Sequence, residues 1–370
     1  MRHLFLCESP YALFNMLLLR AARPEEPADI LFTDVADFSV QIERLRDMGI
    51  FENVAQIHSK QPITALLHKE KSARQAAVRN PFEILPFPNE LAGMHYTDIW
   101  LNLDGMCPKM IYYGIVQNQK AAPTVHFVEE GNASYYLGLA SLARDPFDHL
   151  SYGNKSFAKN CEDLWLYDPD AYYSNGIALH TEQLPRDLLE SETFISTVKN
   201  VFDAEEAPPE RFIVFEQCFI TDEAVTNDLE LFKHIATTLG AENMSVRLHP
   251  RTKIDRFSPF GFHVVSPQGS LWEATLLSSR QSFAGKVFIS IDSTATFSMS
   301  KLFGNEGTSL LLDRLVWGEY KGKDDSSKER YLDSLETEYN KDKMTLYRPT
   351  SMTELNIILD YLAEGKEIHG

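Results

Sequence analysis

The sequence lacks the signatures of the common nucleotide and metal enzymes. It has no G-x-x-x-x-G-K-[ST] loop and no G-x-G-x-x-G turn. That argues against a P-loop hydrolase and against a bound dinucleotide. Only four cysteines occur in 370 residues, at Cys7, Cys107, Cys161 and Cys218. Their spacing excludes C-x-x-C chemistry and fits reduced thiols better than a disulfide frame. There is no H-x-x-x-H pair for zinc. No apolar run approaches the roughly 18 residues of a membrane span. The first apolar run, H-L-F-L-C, stops at Glu8 and Pro10, unlike a secretory leader. Basic charge is scarce too: 35 Lys and Arg stand against 53 Asp and Glu, a net −18. A nucleic-acid surface needs a basic stripe. The sequence holds one short basic run instead: Arg247, His249, Arg251 and Lys253.

What is present is an α/β alternation on two scales. An apolar content of 44% and a charged content of 24% are ordinary for a globular chain. The length suits two domains. Buried strands are predicted over residues 3–7, 29–33, 53–57, 97–101 and 124–128. Helices are predicted over 11–21, 38–48, 63–78 and 109–117. Residues 145–185 are irregular, rich in aromatics and turn residues. D-A-E-E-A-P-P-E at 203–210 reads as a linker. A second alternation follows, with strands over 212–215, 245–248, 263–265, 287–291 and 309–312. Its helices cover 222–239, 271–277 and 295–303. A charged helical tail ends in 352–363. The expected plan is an N-terminal domain over 1–202, a linker over 203–210, a second domain over 211–345 and a C-terminal helix over 346–370. Each domain is expected to be a Rossmann-like, doubly wound parallel sheet, with a cleft between the two.

Chemistry-bearing residues gather where strands end, which is where open α/β sheets bind ligands. In L-H-P-R (248–251), Pro250 forces His249 into an extended conformation. The imidazole then contacts a phosphate, protonates a leaving group, or caps a turn. In I-D-S-T-A-T (291–296), Ser293 and Thr294 cap a helix or, with its free N–H groups, hold a phosphate. Asp292 is expected to point aside or to bond to the backbone. In F-V-E-E-G (127–131), Glu129 and Glu130 end a strand at a turn allowed by Gly131. Either serves as a general base or complements a helix dipole. Glu273 starts a helix, where it binds a ribose or is solvated. Gln217 ends the first strand of the second domain. Asp222 caps the next helix or faces the cleft. Asp168-Pro169-Asp170 has the D-x-D form of metal-dependent transferases, but its proline and flanking tyrosines favour a surface turn. No metal site is read from the sequence. Phosphate charge therefore falls to His, hydroxyls and helix N-termini.

E-E-G at 129–131, His249-Pro250 and Ser293-Thr294, in that order, resemble the three motifs of the bacterial sialyltransferases. Length, the lack of a membrane span and the strand–Ser9-Pro10-Tyr11–helix start are most similar to the lipooligosaccharide sialyltransferases, glycosyltransferase family 52. The strand F-E-Q (215–217) adds to the likeness. The resemblance implies a GT-B-type fold, a CMP-sialic acid donor and transfer to a galactoside hydroxyl with inversion and without metal. It implies no resident cofactor. Glu129 or Glu130 would be the base, with Asp222 as an alternative. His249, with Pro250 and Arg251, would face the donor phosphate and assist departure of CMP. Ser293 and Thr294 would hold that phosphate, and Glu273 the ribose. The second carboxylate is longer here than the aspartate often found in the first motif. Some relatives transfer glucose. The implied partners are a nucleotide-sugar donor and a glycan acceptor, in the cytoplasm. A lipid-linked acceptor would bring the chain to the inner membrane surface. The charged tail leaves room for a homodimer.

Overall fold

A computed structural model describes residues 1–70, 78–136, 145–153, 155–173, 179–219, 222–265, 270–304, 307–318, 326–339 and 345–365. The chain divides into two units, Met1–Val201 and Phe202–Gly370.

The first unit is built on strands β1 (His3–Cys7), β2 (Ala28–Thr33), β3 (Asn53–Ile57), β4 (Asp98–Leu101), β5 (Thr124–Val128), β6 (Cys161–Leu166) and β7 (His180–Gln183). All pair in parallel, in the order β3-β2-β1-β4-β5-β6-β7. Strands such as H-L-F-L-C are buried along their whole length. An unbroken apolar run is what a sheet covered on both faces requires. The helix Pro10–Ala21 starts sharply because Ser9 accepts from the Ala12 N–H and Pro10 takes the first turn. β6 and β7 lie in the stretch expected to be irregular. Their sequences, C-E-D-L-W-L and H-T-E-Q, carry charges inside the run and break the apolar signature. The long helix expected over 63–78 covers Lys60–Leu67, and residues 71–77 lie outside the described residues.

The second unit holds β8 (Phe212–Phe215), β9 (Met244–Arg247), β10 (His263–Val265), β11 (Val287–Ser290), β12 (Thr308–Leu311) and β13 (Thr345–Tyr347). The order is β10-β9-β8-β11-β12-β13, again parallel. Counted from the first strand of each unit, both sheets run 3-2-1-4-5-6, the doubly wound dinucleotide-fold order, and the first adds a seventh strand at its edge. The chain is therefore two Rossmann-like domains. The last helix, Met352–Ala363, belongs to the second core. Its Leu355, Leu359 and Leu362 pack with Phe232 and Ile235 of the helix Asp228–Leu239. Residues 203–210 lie along this same unit. The Glu205 N–H donates to Thr275 Oγ1, and Lys286 Nζ donates to the carbonyls of Pro208 and Glu210. Among the described residues no helix is long and apolar enough to cross a membrane.

Candidate active site

In a sheet of this order, the crevice lies where neighbouring connections leave in opposite directions, between the first and fourth strands. In the first unit those strands are β1 and β4. The chain leaves β1 through Glu8 and Ser9, β4 through Asn102, and β5 through Glu129 and Glu130. The two adjacent glutamates have opposite surroundings. Glu129 is fully buried. Its carboxylate accepts from the Tyr11 hydroxyl at 2.8 Å, from the Tyr167 N–H at 3.1 Å and from the Tyr135 hydroxyl. Its carbonyl accepts from Asn15 Nδ2 at 3.0 Å. Glu129 thus ties the strand ends to the helix Pro10–Ala21.

Glu130 is part-exposed. Asn102 Nδ2 donates to it at 2.7 Å, and its own N–H donates to Ser134 Oγ at 2.8 Å. Gly131, with φ of 106°, supplies the turn that brings Ser134 back. Burial pushes the Glu130 carboxyl up to about 7 and the Glu129 charge adds to that, against hydrogen bonds from Ser9 and Asn102. A carboxyl poised near neutrality at a strand end suits a general base. Glu8, which the sequence marks only as the end of the first apolar run, is also pushed up to about 7, by burial and then by Glu130.

In the second unit the switch lies between β8 and β11. His249 leaves the end of β9, beside β8. Its Nδ1 accepts from the Arg251 N–H at 3.2 Å. The neutral ring therefore carries its proton on Nε2, which has no partner among the described residues. Burial and then the Arg251 charge hold the ring below the ordinary imidazole value, against Asp222. At neutral pH it is a neutral N–H donor. Glu216, at the end of β8, sets this turn. It accepts from the His249 N–H at 3.1 Å and from Arg256 Nε at 3.2 Å. Sequence reading passed over Glu216 although F-E-Q was in view, because one carboxylate after a strand carries no signal of what it holds. Ser293 begins a 3-10 turn, Thr294–Phe297, which leads into the helix Ser298–Phe303. Its N–H donates to Ser290 Oγ at 3.0 Å, and its hydroxyl makes no cap bond. The expected side-chain cap is thus absent and the Ser293 hydroxyl stays available. Asp292 turns aside, held by side chains: Gln217 and Lys328 both donate to it. The tail helix Ser326–Tyr339 thereby reaches the switch point.

No protein-family model matches the chain, and no curated protein matches it in sequence. Several solved structures are similar to it. The glycosyltransferase VinC in complex with DTDP is 9% identical over 99% of this chain and 95% of that one, with a TM-score of 0.44. The E. coli heptosyltransferase WaaC with ADP is 13% identical over 99% of each chain, with a TM-score of 0.39. Phytolacca americana UGT2, complexed with UDP-2fluoro-glucose and pterostilbene, is 11% identical over 98% of this chain and 89% of that one, with a TM-score of 0.46. The fold assignment rests on the strand orders above.

The remaining expected site residues fall elsewhere. Asp222 does not cap a helix, since that helix begins at Asp228. It is exposed and pairs with Arg251 at 2.9 Å. Arg247 is buried and paired with Glu205, and its Nη2 donates to Ser270 Oγ at 2.8 Å. Of the four basic residues, two are committed to carboxylates, and Lys253 is exposed. Glu273 is buried, so the solvated alternative is excluded. Its carboxylate accepts from Ser298 Oγ at 2.6 Å, joining two helix starts. Pro169–Ala171 forms a 3-10 turn, as its turn chemistry predicts.

Proposed function

We propose that this chain is an inverting, metal-independent sialyltransferase, moving sialic acid from CMP-sialic acid to a galactoside hydroxyl of a surface glycan. The observation that carries the reading is Glu130. It is a part-buried carboxyl poised near neutrality at the end of β5, inside the motif that resembles the sialyltransferases. Glu130 takes the proton of the acceptor hydroxyl as that oxygen bonds to the anomeric carbon of the sialyl residue. The bond from that carbon to the phosphate oxygen breaks, and CMP leaves with the electron pair. Attack opposite the leaving group inverts the centre. In the second unit the neutral His249 offers Nε2–H to the phosphate, and the Ser293 hydroxyl and Thr294 hold it. Hydrogen-bond donors fixed where charge develops are the largest electrostatic aid to such a step. Glu216 holds the backbone of His249 through its N–H.

The test mixes the chain with CMP-sialic acid and a β-galactoside. CMP and a sialylated product are expected, with Glu130→Gln slower by roughly 10²–10⁴-fold. Full turnover by Glu130→Gln would remove Glu130 from the mechanism. A second reading, transfer from another nucleotide sugar, is favoured by the chemistry of the second switch point: an imidazole N–H and a serine hydroxyl without a cap bond suit a phosphate, which every such donor has. Thermal stabilisation by CMP, and not by UDP or GDP, separates the two, since a ligand stabilises only the state it binds.

A further inference from the structure

Three neighbouring strands of the second unit end on one register line: Arg247 of β9 and Ser290 of β11 both pair with Phe215 of β8. The second residue beyond that line is His249 after β9, Gln217 after β8 and Asp292 after β11. Asp292 is the unexpected member. Ser293 follows it directly, and a carboxylate beside a phosphate site repels the phosphate charge. Both of its oxygens are taken. Gln217 Nε2 donates to Oδ1 and Lys328 Nζ to Oδ2. The Lys328 and Asp292 side chains are 11% and 20% exposed, so solvent screens this ion pair only in part. Lys328 comes from a helix that is fixed elsewhere along its length. Tyr331, Leu332 and Leu335 of the helix Ser326–Tyr339 are buried. Glu329 and Asp333 pair with Arg314 and with the buried Arg348. The Ser293 turn is fixed as well: Ser290 Oγ accepts from the Ser293 N–H at 3.0 Å and from Thr296 Oγ1 at 2.6 Å.

We propose that Lys328 admits the donor phosphate to the second switch point by cancelling the charge of Asp292, with Gln217 holding that carboxylate in place. This rests on the reading of the switch point as the donor site. Lys328 acts through Asp292 and is a positioning residue. The ion pair answers to the charge of a nucleotide phosphate and not to its base. Breaking the pair from either side therefore has opposite effects on that ligand. Without Lys328 the carboxylate of Asp292 faces the phosphate uncompensated. Without the charge of Asp292 the ammonium of Lys328 is left to attract it.

The test is calorimetric titration of the full chain with CMP, UDP and GDP. Lys328→Met keeps most of the stem and removes the charge, and is expected to weaken binding of CMP about tenfold. Asp292→Asn breaks the same ion pair and is expected to tighten it several-fold. The double variant is expected to return close to the parent. A purely structural ion pair would weaken binding in both single variants, and that result overturns the proposal. Binding by Lys328→Met at the parent's strength overturns it too. Where Lys328→Met fails to fold, Asp292→Asn decides: binding no tighter than the parent's overturns the proposal. A parent that binds UDP or GDP in place of CMP, with the same opposite shifts, sinks the sialyltransferase reading and leaves the role of Lys328 standing. A parent that binds CMP, with both single variants weakened, does the reverse. A parent that binds none of the three sinks both.

Discussion

Glu129 and Glu130 are neighbours in sequence and opposites in role. Glu129 is saturated by two tyrosine hydroxyls and a backbone N–H. Removing it strands those donors, and hydrogen bonds to a charged group are worth about 1.5–3 kcal/mol each. Glu129→Ala is expected to lower Tm markedly, by a loss on the order of 3 kcal/mol. A Tm within a degree of the parent would show that the tyrosines find other partners. Glu130 behaves in the opposite sense. Its folded value lies above its unfolded one, so its contribution to stability is present below the ordinary carboxylate range and is lost as pH rises through about 7. Glu130→Gln is therefore expected to raise Tm at pH 8 and to change it little at pH 4, while turnover falls. A lower Tm at pH 8 would contradict a carboxyl held near 7 by burial. Sequence reading named both residues without separating them, because the distinction comes from Tyr11, Tyr135 and Tyr167, which are distant in the chain.

At the scale of elements, the parallel strands were legible where the apolar runs are unbroken. β6 and β7 were not, because polar side chains interrupt them, and β13 (T-L-Y) is too short to carry a pattern. Asp163 on β6 shows why. It accepts from His126 Nδ1 on β5 at 2.9 Å, and Asp98 on β4 lies 3.2 Å from Nε2. Burial alone would lower the imidazole. The two carboxylates outweigh it and raise His126 to about 9. The sign follows: stability from this triad is complete below the unfolded value of 6.5 and is lost as pH rises through about 9. The Tm difference between the parent and His126→Gln is expected to be large at pH 6 and to shrink by pH 10. A constant difference would mean that His126 is neutral throughout. β13 ends at a comparable polar anchor. Arg348 is fully buried and pairs with Asp313 at 2.6 Å and with Glu329 at 2.7 Å. Arg348→Ala leaves a buried carboxylate unpaired, a loss of about 3–5 kcal/mol. The second unit should then unfold early in a calorimetric scan. An unchanged transition would show that the charges relax into water.

For the whole molecule, the pattern of alternation was enough to read two doubly wound domains, and the strand orders agree. What sequence could not assign was the division of labour at each strand end. Of the four basic residues at 247–253, Arg247 and Arg251 are taken up by Glu205 and Asp222. Of the acidic ones, Glu273 is interior and Glu216 holds the His249 turn. Each unit retains one group suited to chemistry at its switch region: the poised carboxyl of Glu130 in the first and the Nε2–H of His249 in the second. The most direct test of the proposed transfer is release of CMP from CMP-sialic acid, followed with and without a β-galactoside. The account predicts release that depends on acceptor, rises with pH through about 7 and falls at least a hundredfold in Glu130→Gln. Release that ignores the acceptor, or that survives Glu130→Gln at full rate, would contradict it.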